Sequence, residues 1–414
     1  MSKCRKDTIS FLNIIVIGKE NTGKTAFVRT LCERTKELMV PDTFKESSPN
    51  VLQAPLKPTE ELYSVSMQLE HERRGQQQQR TALTVVDTQG LARGFVLGHQ
   101  LRYLAKYIDH QLERFLVEET KVKRNLNPPD TRIHACIYFI DTHTWDGLDD
   151  VDQLAIELLS SRVNVIPVIG KTDTLSTRQQ DQLKKNFRKQ VFDVHKIPLY
   201  GLVSLDEVDD DDDDEDDSAD SNEGTPTLTL MNHHVGGRFR LDSPPSYNNN
   251  NNNNENDNDD SIILRNLMEI LQEVVNNNTH DHDARVMIDY LKYMPFSVFG
   301  YEEDRFTGRP ITIATTATKD TQQQQHQHYD DATRTTTTIL GRVYPWAVVD
   351  CCDPAYCDFE RLVDLLLSDH GDMLRLDTVE RFYEQFRIDQ LLSRRVDEMV
   401  QIKSKSNQRQ GVED

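Results

Sequence analysis

Residues 11–27 read FLNIIVIGKENTGKTAF, and this stretch decides the fold. Its apolar run at 11–17 has the length and β-branched content of a strand buried on both faces. GKENTGKT at 18–25 follows at once, matching G-x-x-x-x-G-K-[ST], and a helical pattern opens at Thr25 and runs to Glu33. In that strand–loop–helix setting, backbone N–H groups and the helix N-terminus hold phosphates. The phosphate-side candidates are therefore Gly18, Glu20, Asn21, Thr22, Gly23, Lys24, Thr25 and Ala26. The Lys24 ammonium would reach the β- and γ-oxygens, and the Thr25 hydroxyl would ligate Mg²⁺. A chance glycine turn is the competing reading, and the flanking strand and helix oppose it.

Working outward, apolar runs recur at 83–86 (LTVV), 133–140 (IHACIYFI) and 163–169, with helical patterns at 101–119, 151–160 and 179–194. Strand and helix in alternation predict an α/β fold with a mostly parallel sheet flanked by helices. LTVVDTQG (83–90) ends its strand on Asp87, which can hold magnesium through water, while Gly90 can turn an N–H toward a γ-phosphate. Alone, that pattern reads equally as a common turn. VNVIPVIGKTD (163–173) delivers Lys171 and Asp173 from a third strand. A carboxylate accepts from the N1–H and N2–H₂ donors of guanine, a pair adenine lacks, and a lysine stem can lie along the base. Alone, KTD is a solvated loop; third in this order, it predicts GTP or GDP rather than ATP.

The 414 residues carry a net charge of −21 and only 36% hydrophobic residues. Residues 206–260 hold 18 acidic side chains against Arg238 and Arg240, which leaves −5 for everything else. A near-neutral core has no electrostatic drive toward nucleic acid. The acidic run, with the asparagines of 248–258, predicts a disordered insert at 206–260, and a Gln/Thr-rich stretch predicts a second at 321–338. The expected division is then a short basic segment at 1–10, a core at 11–205 resuming at 261–320, a C-terminal unit at 339–388 and a helical tail at 389–414. The six cysteines show no CxxC spacing, so neither a zinc site nor a disulfide framework is indicated, and a reducing compartment is expected. No apolar run approaches the 18 or so residues of a membrane span. Lys3, Arg5 and Lys6 ahead of the first apolar run imitate a signal peptide, but cleavage would destroy the glycine loop.

These elements in series resemble the GTPase domain of the septins. The similarity sharpens at TRIHACIYFI (131–140), RVNVIPVIGKTDTL (162–175), MPFSVFG (294–300) and above all GRVYPWAVVD (341–350), a terminal unit that other small GTPases lack. YIDHQLERFLVEE (107–119) is similar to the septin helix after the second switch. The resemblance implies a GTP-binding filament subunit that assembles with other septins across two surfaces, one at the nucleotide pocket. It adds Thr174, Gly300 and Arg342 to the pocket, the arginine lying against the base. It also puts Tyr344 and Trp346 near the subunit contact, although a plain core role serves them equally.

Several positions depart from the septin pattern. Asn21 stands at a glycine position, the second switch reads DTQGLARG instead of DTPGFGD, and GKTD replaces AKAD. Asp146 occupies the place of a histidine, and Ala347 that of a glycine. Thr43, Ser47, Ser48 and Thr59 are all candidates for the first-switch hydroxyl, and the altered switches predict slow or absent hydrolysis. Three basic residues before the first strand give only a marginal anionic-membrane anchor, at about 1 kcal/mol each. Ile388, Leu392, Val396 and Met399 continue one helical face for two heptads, too short for a long coiled coil. Together these features look like the sporulation-type septins of budding yeasts. The competing function is a monomeric signalling GTPase that cycles between GDP and GTP, which would have no use for the GRVYPW unit.

Overall fold

The computed structural model describes residues 9–47, 62–73, 77–123, 128–142, 147–201, 203–206, 227–229, 239–240, 260–277, 282–303, 306, 309–310 and 339–410. In chain order the first half forms β1 (Ser10–Gly18), α1 (Lys24–Arg34), β2 (Lys45–Glu46), β3 (Tyr63–Arg73), β4 (Gln77–Asp87), α2 (Leu97–Thr120), β5 (Ala135–Ile140), α3 (Asp150–Ser160), β6 (Asn164–Ile169) and α4 (Thr177–Arg188). There follow β7 (Val203–Asp206), β8 (Thr227–Thr229), β9 (Phe239–Arg240), α5 (Ile262–Asn277), α6 (His282–Tyr293) and β10 (Phe296–Ser297). The C-terminal unit comprises β11 (Gly341–Val343), β12 (Val348–Asp350), α7 (Phe359–Leu367), α8 (Asp369–Asp377) and α9 (Glu384–Gln410).

One seven-stranded sheet, in the order β10-β6-β5-β1-β4-β3-β2, organises the core. β4, β1, β5, β6 and β10 run parallel, while β3 runs antiparallel to both of its neighbours, β4 and β2. The sheet is thus mostly parallel and flanked by helices, the α/β architecture expected. Ile14, Ile15, Val16 and Ile17 of β1 are all fully buried, because helices cover both faces. Burying each such side chain contributes roughly 1.5–3 kcal/mol relative to leaving it exposed. α2 turns Leu101, Leu104, Ile108, Leu112 and Leu116 inward, a helical stripe of i, i+3 and i+4 steps. α4 starts at a capping box in which the Ser176 hydroxyl and the Gln179 side chain satisfy each other's backbone donors.

β3 was not anticipated, yet Tyr63, Val65, Met67 and Leu69 alternate inward along it. Within the tract 206–260 expected to lack structure, β8 pairs with both β7 and β9 in a small three-stranded sheet that takes in Asp206 and the five residues of β8 and β9. Their Thr, Leu and Phe side chains suit strands where the surrounding Asp and Asn runs do not. The rest of residues 207–259, with the segments 1–8 and 321–338, lies outside the described residues. At the β10 edge, Ser297 N–H donates to the Asp358 carboxylate at 2.9 Å and Asp358 N–H donates back to Ser297 O at 2.7 Å. Lys184 of α4 holds the same carboxylate at 3.1 Å. At the other end of the chain, Ile388, Leu392, Val396 and Met399 of α9 stand about half exposed.

Candidate functional site

The loop between β1 and α1 lies at the carboxyl edge of the central strands, where a parallel sheet places its crevice. Gly18, Gly23 and Asn21 have φ of 151°, 100° and 60°. Asn21 therefore occupies the left-handed region its glycine equivalent would, and asparagine is among the few side chains that enter it readily. Lys24 is buried, and its ammonium donates to Gly18 O at 3.0 Å and Lys19 O at 2.5 Å. Burial pushes it down to about 8, against the pull of Asp87 and Glu20. The Thr22 hydroxyl donates to Lys19 O at 2.9 Å, closing the loop upon itself. Glu20 and Asn21 are exposed, and the Ala26 carbonyl accepts from the Thr30 hydroxyl.

Asp87, fully buried at the end of β4, accepts the Thr25 hydroxyl at 2.7 Å. Two hard oxygen donors this close suit Mg²⁺, which takes one or two protein oxygens and fills its octahedron with waters and phosphate. Gly90 has no room for a side chain: a Cβ would lie 2.4–2.8 Å from Glu20. The switch segment beyond it is docked. Leu91 is buried, its N–H donates to Gly18 O at 3.0 Å, and Gln100 bonds both Gly90 O and Ala92 N–H.

The base end is assembled from three parts of the chain. Lys171 has φ 53°, and its Cγ comes within 3.7 Å of where a Gly23 Cβ would stand. Gly170 packs on the phosphate loop so closely that a Cβ would meet Thr22 O at 1.9 Å, which accounts for glycine in GKTD. Arg342 of β11 donates to Asp173 Oδ2 at 2.9 Å and, through Nε, to Gly300 O at 2.9 Å. Tyr344 adds a hydroxyl to the same Oδ2 at 2.6 Å, and burial with this bond pushes its phenol up to about 12. Asp173 Oδ1 is buried with no hydrogen-bond partner among the described residues. An orphaned carboxylate oxygen is the acceptor that guanine's paired donors complement, so the residues present fit a guanine nucleotide. The Thr174 hydroxyl donates to Lys171 O at 2.8 Å, closing the turn that carries Asp173. Ala26, Tyr301, Glu302, Arg342 and Tyr344 line a cavity of about 310 Å³ beside this group. A larger cavity of about 510 Å³ lies farther along α1, among Arg29, Cys32, Phe44, Glu46 and Tyr301, and shares no residue with the phosphate loop.

Sequence reasoning missed a polar cluster behind the loop. Lys19 pairs with Asp149 at 2.7 Å and Asp152 at 2.9 Å, Arg93 reaches Asp149 at 2.8 Å, and Tyr138 donates to Asp152 at 2.8 Å. Burial alone would lower the Lys19 ammonium, but the two carboxylates leave it raised. Asp149 is pulled down by Lys19, whereas burial raises Asp152. Asp149 also caps α3, so LDDVD ahead of an apolar helix was its one visible signal. Among the first-switch candidates, Thr43 bonds Val40 O and Gln68 N–H, and Ser47 accepts from Ser64 N–H. Ser48, Thr59 and Asp146 lie outside the described residues. Trp346 is 80% exposed and stacks on Tyr344 at 5.4 Å, which removes the core alternative for the indole.

The family model described as Septin matches residues 9–226 and 327–399. Cell division control protein 11 of Saccharomyces cerevisiae is 25% identical over 381 residues, covering 91% of this chain and 66% of its own. Neuronal-specific septin-3 of Homo sapiens is 31% identical over 195 residues, 47% of this chain and 51% of its own. The chain spans about half to two thirds of the length of these relatives. The crystal structure of the septin GTPase domain from Chlamydomonas reinhardtii aligns at a TM-score of 0.49 and 15% identity, over 92% of this chain and 99% of that one.

Proposed function

Because this chain belongs to the septin family, we propose that it is a guanine-nucleotide-binding filament subunit that assembles with other septins. The observation that carries this reading is the Arg342–Asp173–Gly300 junction, which ties the C-terminal hairpin to the base end of the pocket. Its neighbour Trp346 offers solvent a large apolar ring of the kind that anchors interfaces. GTP or GDP would lie with its phosphates on Gly18–Ala26 and its base between Lys171, Asp173 and Arg342. Thr25 and Asp87 would hold Mg²⁺, whose chemistry when bound is charge neutralisation at the phosphates. The protein's own contribution is a rigid cradle, an acceptor for guanine and a hairpin that joins the nucleotide to a subunit contact.

Hydrolysis is slow or absent in this reading. The second switch is fastened to the phosphate loop through Leu91 and to Asp149 through Arg93, and Thr43 and Ser47 are committed to strand-edge hydrogen bonds. A loss of about 4 kcal/mol of transition-state stabilisation lowers turnover roughly a thousandfold. Work at the division site fits the cell-division role in the name of the yeast relative. A part in spore formation and a weak contact with anionic membranes belong to the same proposal.

The test is chromatographic identification of nucleotide extracted from the protein purified with candidate partner septins, followed by single-turnover hydrolysis. GTP in the pocket with slow turnover is expected, and Lys24→Ala and Arg342→Ala should each weaken assembly. Undiminished assembly with an empty pocket would sink the interface role; GDP alone with brisk turnover would sink the slow-hydrolysis claim.

A further inference from the structure

We infer that the turn after β12 is a binding site for a thiophilic divalent cation of the zinc class, held by Asp350, Cys351 and Cys352. One ligand atom from each residue lies within 4.8 Å of the other two. Zinc bonds of about 2.3 Å to sulfur and 2.0–2.2 Å to oxygen put tetrahedral ligand atoms roughly 3.5–3.8 Å apart, so small side-chain rotations complete the set. The set is selective: two thiols exclude the hard cations that suit the phosphate site, and the carboxylate disfavours monovalent copper. Three protein ligands leave a fourth position for water.

The backbone fixes these ligands in advance. β11 and β12 pair with Gly341 opposite Asp350 and Arg342 opposite Val349. Cys351 N–H donates to Leu340 O at 2.8 Å, and its thiol donates to the same carbonyl at 2.7 Å. Cys352 N–H donates to Asp350 Oδ1 at 2.9 Å, and Asp353 N–H to Asp350 O at 3.3 Å. Cys351 is buried and Cys352 half-buried, so the site is reachable from one side only. Arg34, paired with Glu360 at 2.5 Å, lies within electrostatic reach of Cys352. Adjacent cysteines do not match the usual ligand spacings, and only the turn recruits the carboxylate as a third ligand. A cation here would clamp the base of the hairpin that carries Arg342, one register step from the nucleotide contact.

The experiment uses the full chain, purified under a phosphine reductant and titrated with Co²⁺ as a spectroscopic probe, then with Zn²⁺. The expected result is a near-ultraviolet thiolate-to-cobalt charge-transfer band saturating at about one equivalent and bleached by zinc. Cys352→Ser should abolish the band and Asp350→Asn weaken it, while Cys32→Ser, whose thiol is buried in the core, should leave it intact. Should Cys352→Ser fold poorly, alkylation mapping of the wild-type chain gives an independent readout, with zinc expected to protect Cys351 and Cys352 together. A band that survives Cys352→Ser, no band at all, or alkylation indifferent to zinc would overturn the assignment. So would a Cys351–Cys352 disulfide persisting under the reductant.

Discussion

Arg342 and Asp173, 169 positions apart, meet at 2.9 Å, and the Asp173 oxygen they share also takes the Tyr344 hydroxyl. The carboxylate proposed to read the base is thus held by the hairpin proposed to build the subunit contact. Base recognition and hairpin placement are one structural event, so a change at either residue is felt at both.

Asp173→Asn should lower GTP affinity by about 1.5–3 kcal/mol, because an amide presents a donor where a charged acceptor served guanine's donors. Xanthine nucleotides should gain relative to guanine. Competition of GTP and XTP against a fluorescent nucleotide measures both, and an unchanged preference would remove Asp173 from the pocket.

Gly170→Ala adds one methyl, but directly against a backbone carbonyl at 1.9 Å, where no flexible side chain can yield. The phosphate loop must shift, at a cost of roughly 1–3 kcal/mol in stability and with weaker nucleotide binding. Denaturant melts of the variant check this; wild-type midpoint and affinity together would show that Gly170 does not abut Thr22.

Asn21 lies at φ 60°. Asn21→Gly should leave stability within about 0.5 kcal/mol, whereas Asn21→Val should lose about 1–2 kcal/mol, since a β-branched residue is disfavoured in the left-handed region. Equal melting temperatures for the two variants would contradict the loop conformation.

Asp377, at the end of α8, is buried with neither carboxylate oxygen hydrogen-bonded among the described residues. Burial raises it to about 7, against the pull of Arg381, with Glu380 adding to the rise and Asn164 of β6 and Tyr200 nearby. Its folded-state affinity for a proton exceeds its unfolded one, so the folded state binds more protons between pH 4 and 7. The stability contributed by protonated Asp377 is complete below about pH 4 and is lost as pH rises through about 7. Asp377→Asn should therefore matter little at pH 4 and stabilise by roughly 2–4 kcal/mol at pH 8. Urea midpoints at the two pH values decide it, and an equal effect at both would exclude a raised Asp377.

Much of the fold was legible because β1, β4, β5 and β6 carry unbroken apolar runs, the mark of strands covered on both faces. β3 escaped for the opposite reason: its buried Tyr63, Val65, Met67 and Leu69 alternate with polar residues, a period-two signal diluted by SVSMQLEHER. The phosphate loop, Asp87 and Asp173 could be named because their chemistry is local to short motifs. Lys19, Asp149 and Asp152 could not, since a pairing across 130 positions leaves no trace in spacing. The departures Asn21 and Gly170 read as anomalies in one dimension, and their reasons appear only with φ and the Thr22 carbonyl.

Asp358 serves the β10 edge as a false strand. By taking the Ser297 N–H and returning its own to the Ser297 carbonyl, it consumes both groups through which a neighbouring chain could extend the sheet. Subunits of a polymer held at high local concentration face a constant hazard of zipping edge to edge into an amyloid-like ladder. A single carboxylate, braced by Lys184, closes that route on this side of the molecule, so the filament growth proposed above would there proceed by side-chain surfaces that can be selective and reversible.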